Sequence, residues 1–189
     1  MNAGRALGWN GIVAVGAVLA VALTAPPAGA QPRSGLAGGD RTFAGKAATG
    51  GVAEVELGKL ARERASNDAV RQFGRRMAAD HGTANDELMQ LAKSKNLSLS
   101  TDLDIKSRQL RDRLARLSGN AFDRAYMSAM VKDHKTDVAG FKKQAEQGKD
   151  PDLKAWASQK LPTLQAHLRL AQELDSQVKA TTSGSLTGR

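Results

Sequence analysis

The 189-residue sequence predicts an all-α domain, an antiparallel bundle of four long helices with one extra short helix. Three observations carry this. Apolar residues recur at intervals of three and four along five segments, the period of one buried helical stripe. No window alternates apolar and polar residues over enough positions to form a strand. The segments are joined by short stretches rich in Gly, Pro, Asn and Asp, which makes antiparallel neighbours the economical arrangement.

The aromatic share is 4% and cysteine is absent. The core must therefore be aliphatic, and disulfides, thiolate metal sites and cysteine nucleophiles are excluded by inventory. At roughly 100–200 residues per domain, the length fits one domain.

Residues 1–30 read as a signal peptide. Arg5 is their only charge, Ile12 to Leu23 is an unbroken run of apolar residues and glycine, and Pro26 and Pro27 precede Ala28-Gly29-Ala30, the small-x-small pattern of a cleavage site. The run is too short to cross about 30 Å of hydrocarbon at about 1.5 Å per residue, so no transmembrane segment is expected in the mature form. With no cysteine for a lipid anchor and no twin arginine, export is expected to be Sec-type, to the periplasm or beyond. Residues 31–41 and 180–189 are rich in Gly, Ser and Thr and read as a disordered linker and tail.

The bundle is expected over residues 42–179. Its first helix spans 42–65, with Phe43, Ala47, Gly50, Leu57 and Ala61 on one stripe and Glu54 in the same series; Gly50-Gly51 should loosen it. Ser66 or Asn67 caps the second helix, which runs to about Lys95 with Val70, Phe73, Met77, His81, Ala84, Leu88 and Leu91 inward, and Asn96 suits the left-handed position beyond it. A shorter helix covers 102–117, carries Leu103, Leu110, Leu114 and Leu117, and is closed by Gly119. The next spans 120–147, with Phe122, Tyr126, Met130, His134, Val138, Phe141 and Ala145 inward, and Gly148 stops it. Asp150-Pro151 starts the last, which runs to Val178 with Leu153, Ala157, Leu164, His167, Ala171 and Leu174 on one side. Pro162 should kink it.

One pattern repeats. Phe73-x3-Met77-x2-Asp80-His81 returns fifty-three residues later as Tyr126-x3-Met130-x2-Asp133-His134, so two helices present the same face.

These segments carry a family resemblance. Phe43, the run Gly51-Val52-Ala53-Glu54-Val55-Glu56-Leu57-Gly58-Lys59-Leu60-Ala61, the first copy of the repeat with Val70, Phe122-Asp123-x2-Tyr126 with Asp133-His134, and Leu161-Pro162-x2-Gln165-Ala166-His167 together span nearly all of residues 43–174. The sequence resembles the bacterial proteins grouped as domain of unknown function 4142, which are assigned a ferritin-like four-helix fold. The resemblance implies an exported, often periplasmic bundle, and the ferritin-like label implies a place for a metal centre. It implies no activity.

All three histidines of the chain lie on apolar stripes, each on a different long helix. If a stripe takes about a third of helical positions, three independent placements give a chance of roughly one in thirty. Glu54, His81, His134 and His167 are therefore expected to converge and bind one transition metal, zinc, copper, iron or manganese, with Asp80 and Asp133 beside them as acceptors. Binding by free imidazoles should weaken as pH falls through about 6 to 5. The residues three before the histidines are Ala78, Val131 and Leu164, not the glutamates of a ferritin-type di-iron centre. Met77 and Met130 lie one turn before two of the histidines as soft donors, although methionine at stripe spacing is ordinarily core filler.

The competing reading is a metal-free bundle whose buried polar groups bond to each other and whose surface binds envelope polymers or a protein partner. Loss of Arg5 with the signal leaves 27 basic against 19 acidic residues, a formal charge of +8. Outside the cytoplasm that charge meets an anionic envelope surface, not nucleic acid. No serine, lysine or paired acids stand out as catalytic machinery, so enzymatic activity is not expected.

Overall fold

The computed structural model describes residues 35–186, with side chains described to residue 180. The expected signal peptide, residues 31–34 of the expected linker and the last residues of the tail lie outside these, while residues 38–41 of that linker are helical and not disordered. The described residues form five helices and no strand: α1 (Gly38–Arg64), α2 (Asp68–Ser94), α3 (Ile105–Ala115), α4 (Gly119–Gln147) and α5 (Pro151–Leu186). None is long and apolar enough to cross a membrane.

Helix α1 packs along α2, and α4 along α5. Cross-helix contacts fix the directions. Ser66 and Asp40 of the α1 side meet Asp123 and Gln144 of α4, while Lys95 and Glu87 meet Asp150 and Trp156 of the α5 side. Each neighbouring pair is thus antiparallel, and α2 and α4 are parallel and diagonal. The connection from α2 to α4 must consequently travel the length of the bundle, and α3 lies along it against α1.

Local chemistry accounts for the boundaries. Asn67 caps α2 by accepting from the backbone N–H of Ala69 at 2.8 Å and of Val70 at 3.4 Å. Asn96, just past α2, has φ 53°, the left-handed conformation expected there. Asp150 caps α5 by accepting from Leu153 N–H at 2.9 Å, with Pro151 in the first helical position. Gly119, expected to close the third helix, instead opens α4 with φ 58°. Helix α1 begins at Gly38, four residues before the expected start, and α5 continues past Val178 to Leu186 and through Pro162.

The early start of α1 has a cause. Asp40 is buried and accepts from the Gln144 side chain at 2.8 Å and from the backbone N–H of Lys149 at 3.1 Å and Asp150 at 2.9 Å, tying the start of α1 to the α4–α5 turn. Asp123 does the same at the other end. It accepts from Ser66 N–H at 3.1 Å, Ser66 Oγ at 2.6 Å and Asn67 N–H at 2.9 Å, tying α4 to the α1–α2 turn. Burial alone would raise the Asp40 carboxyl, but the hydrogen bonds from Gln144, Lys149 and Asp150 hold it below its usual range.

Two apolar clusters fill the interior. One holds Leu57, Phe73, Met77, Leu114, Phe122, Tyr126, Met130 and Leu174; the other holds Ala48, Leu88, Phe141, Leu153, Trp156 and Leu164. The expected stripes of α2, α4 and α5 are the buried faces. In the first half of α1 the face is shifted by one residue, to Ala44, Ala48 and Gly51, while Phe43 and Ala47 only border the second cluster. The pair Gly50-Gly51 does not interrupt α1.

Candidate metal centre

A layer of polar side chains separates the two apolar clusters. His81 follows Met77 and precedes Leu88 on α2, His134 lies between Met130 and Phe141 on α4, and His167 lies between Leu164 and Ala171 on α5. Three helices thus deliver one imidazole each to the same level. The ring centroids form a nearly equilateral triangle, 5.6 Å from His81 to His134, 5.6 Å from His81 to His167 and 5.5 Å from His134 to His167. One ring nitrogen from each lies within 4.8 Å of the other two.

Hydrogen bonds orient two of the rings. His134 Nδ1–H donates to the Met130 carbonyl at 3.0 Å, which leaves the lone pair on Nε2. His167 Nε2–H donates to Asp80 Oδ2 at 2.8 Å, which leaves the lone pair on Nδ1. These free nitrogens, with Nε2 of His81, are buried and have no hydrogen-bond partner. A backbone carbonyl or a carboxylate on the far nitrogen is the usual support of an imidazole that binds a metal.

All three rings are neutral at neutral pH. Burial pushes His81 down to about 3, helped by the other two rings, and pushes His134 down to about 4. Burial also lowers His167, although Asp80 pulls the other way. Protons therefore compete for all three rings at lower pH than for free imidazoles, and for His81 and His134 below the window of 6 to 5 expected from the sequence.

Glu54 occupies a different place. Its carboxyl is sealed from solvent, and Oε1 lies 3.8 Å from Nδ1 of His134, the nitrogen already committed to Met130, so it backs the ring and stands outside the group of three nitrogens. Burial raises its pKa well above the usual range, and the neighbouring Asp133 and then Asp137 raise it further. The Tyr126 hydroxyl, also buried and raised by burial and by Glu54, has no hydrogen-bond partner. The two copies of the sequence repeat are thus completed differently: Asp80 of the first meets His167 of α5, and Asp133 of the second faces Glu54 of α1.

Several further residues shape the layer and its surroundings. Asp137 is half-buried beside the layer, and burial pushes its carboxyl up to about 7. Gly51 admits the Asn85 side chain, whose Oδ1 lies 2.1 Å from where a Cβ would stand. At Gly58 a Cβ would lie 2.5 Å from the Gly74 carbonyl, and at Gly74 one would lie 2.7 Å from Ala61 Cβ, so this pair sets the close approach of α1 and α2. The only sequence signal for the pair is two glycines inside otherwise strong helices.

The model of a protein family described as domain of unknown function (DUF4142) matches residues 25–174. The chain belongs to the DUF4142 family. Among solved structures, this DUF4142 protein is similar to a DUF305 protein of Streptomyces coelicolor, named as a candidate secreted protein, with a TM-score of 0.65 and 17% identity over 75% of this chain and 92% of that one. It is also similar to a DUF305 fragment from Deinococcus radiodurans, with a TM-score of 0.67 and 12% identity over 76% of this chain and 99% of that one. At these identities the likeness shows a shared helical-bundle fold. No curated protein matches the DUF4142 chain.

Proposed function

We propose that this protein is an exported metal-binding bundle that holds one transition-metal ion through His81, His134 and His167. The reading is carried by the convergence of three buried imidazoles, one ring nitrogen of each within 4.8 Å of the others, together with one buried, unpartnered nitrogen on each ring. Each buried lone pair left unsatisfied costs about 1–3 kcal/mol, and a shared cation satisfies all three at once. Around a tetrahedral zinc with Zn–N of about 2.0–2.1 Å the nitrogens stand roughly 3.4 Å apart, so a small closure of the triangle completes the site. Three imidazoles favour zinc and copper over manganese.

In this reading Asp80 orients His167, the Met130 carbonyl orients His134, and Glu54 and Asp133 back the His134 ring without joining the ligands. The helix connectivity, with one end-to-end crossover, is that of ferritin-like bundles, which build metal sites between facing helices. Export through residues 1–30 rests on the signal-like sequence.

Calorimetry of chelator-stripped protein with zinc, copper and manganese tests the proposal. The parent should bind one zinc or copper ion with Kd below about 10 μM, and His81→Ala and His134→Ala should each lose the binding. Variants that bind like the parent, or a parent that binds none of the metals, would refute it.

A second reading is favoured by α3. Lys106, Arg108, Arg111, Arg113 and Arg116 surround a helix whose one buried residue is Leu114, and Ile105 at its start is 67% exposed. That composition suits contact with an anionic envelope surface. Co-sedimentation with vesicles rich in phosphatidylglycerol, compared with neutral vesicles, tests it.

A further inference from the structure

A cavity of about 40 Å³ adjoins the histidine triangle. Its lining includes His81 and His167, whose free nitrogens have no partner, and runs to Asp80 and Lys160, whose side chains are 39% and 18% exposed. Neither His134 nor Glu54 lines it, so the space lies to one side of the triangle, where residues from all four long helices meet. A buried water needs roughly 10–15 Å³ measured this way, so the space takes a ligand of two or three heavy atoms and no larger substrate.

Three imidazoles leave a tetrahedral ion one position short, and Glu54 lies behind His134, away from the place where a fourth ligand would close the set. An ion held by three protein ligands keeps the remaining position for water or an exogenous ligand, in contrast to the closed four-ligand arrangement of structural sites. The space next to two of the three ligands offers room for such a ligand.

We infer that the fourth coordination position is open, and that the cavity beside His81 and His167 admits a small anionic ligand of up to three heavy atoms onto the metal. The inference rests on the metal reading above and adds to it that the site is a reactive or sensing centre and not a structural clamp. Asp137, which also lines the cavity, stands beside the ligand as a hydrogen-bonding group.

Cobalt(II) reports coordination number through its visible absorption, and azide is the probe anion. The full mature chain loaded with cobalt should show a saturable spectral change on addition of azide. Ala84→Leu, which places a larger side chain in the lining, should keep cobalt affinity within about threefold of the parent and weaken the azide response by at least about tenfold. Ala84→Val, a smaller change in the same place, should fall between them if the leucine variant folds poorly. A cobalt spectrum indifferent to azide would show that protein ligands fill the ion's coordination, and would overturn the inference while leaving the metal reading intact. Equal azide response in parent and both variants would place the anion elsewhere and overturn it too. Failure of cobalt, zinc and copper alike to bind would instead remove the metal reading itself.

Discussion

Replacing His81 by leucine should change how the metal-free bundle responds to acid. In the fold, burial holds this ring down to about 3, against an ordinary value of 6.5. Between those values the unfolded chain takes up the proton and the folded chain does not, so stability falls as pH drops below 6.5. One pH unit is worth about 1.4 kcal/mol, so at about pH 5 the ring has withdrawn roughly 2 kcal/mol. His134, held at about 4, withdraws about as much over the same interval. Asp137 acts in the opposite sense. Pushed up to about 7, it binds its proton in the fold before the unfolded chain does, and contributes roughly 3 kcal/mol between pH 7 and 5. Glu54, also raised, shares that sign. The parent should therefore show a shallow profile in which large contributions oppose each other. The leucine variant lacks one of them, and should gain about 2 kcal/mol on the parent between pH 7 and pH 5. Urea unfolding followed by far-UV circular dichroism, with chelator present, measures the difference. Parallel profiles, within about 0.5 kcal/mol, would mean that the ring titrates near 6.5 in the fold and that the buried neutral triangle is wrong.

Other consequences separate the packing from the site. Gly58→Ala forces α1 and α2 apart and should cost about 2 kcal/mol, whereas Gly50→Ala, with open space around its new Cβ, should stabilise by up to about 1 kcal/mol through helix propensity; thermal unfolding of the pair reads the opposite signs. Asp40→Ala strands the Gln144 side chain and two backbone N–H groups and should cost about 3 kcal/mol above about pH 4, with the difference shrinking as acid protonates the parent carboxyl. Leu88→Ala and Leu174→Ala, one in each apolar cluster, should each cost about 2–5 kcal/mol by leaving a cavity; denaturant midpoints unchanged at both would mean that the buried stripes are misassigned.

The stripes of α2, α4 and α5 were legible because large side chains recur there at helical spacing, and the three histidines were carried inward with them. The first half of α1 was not legible in the same way. Buried Ala44 and Ala48 each sit next to an apolar neighbour, Phe43 and Ala47, so the sequence pattern does not distinguish the two pairs. The burial of Asp40, within the expected linker, and of Asp123 has no sequence signal, since what buries each is a turn from another part of the chain. Glu54 illustrates the limit at the site itself. Its register places it at the level of the histidines, but whether a carboxylate faces the free or the occupied nitrogen of His134 depends on the hydrogen bond to the Met130 carbonyl, which no spacing encodes. The close pair Gly58 and Gly74 likewise emerges only when α1 and α2 are packed.

The most direct test of the central claim is the metal content of untagged protein purified from its native compartment, measured by mass spectrometry beside a variant with His81, His134 and His167 all replaced by alanine. The account predicts close to one zinc or copper ion per chain in the parent and none in the variant. A folded parent that carries no transition metal, or equal metal in both proteins, would contradict it.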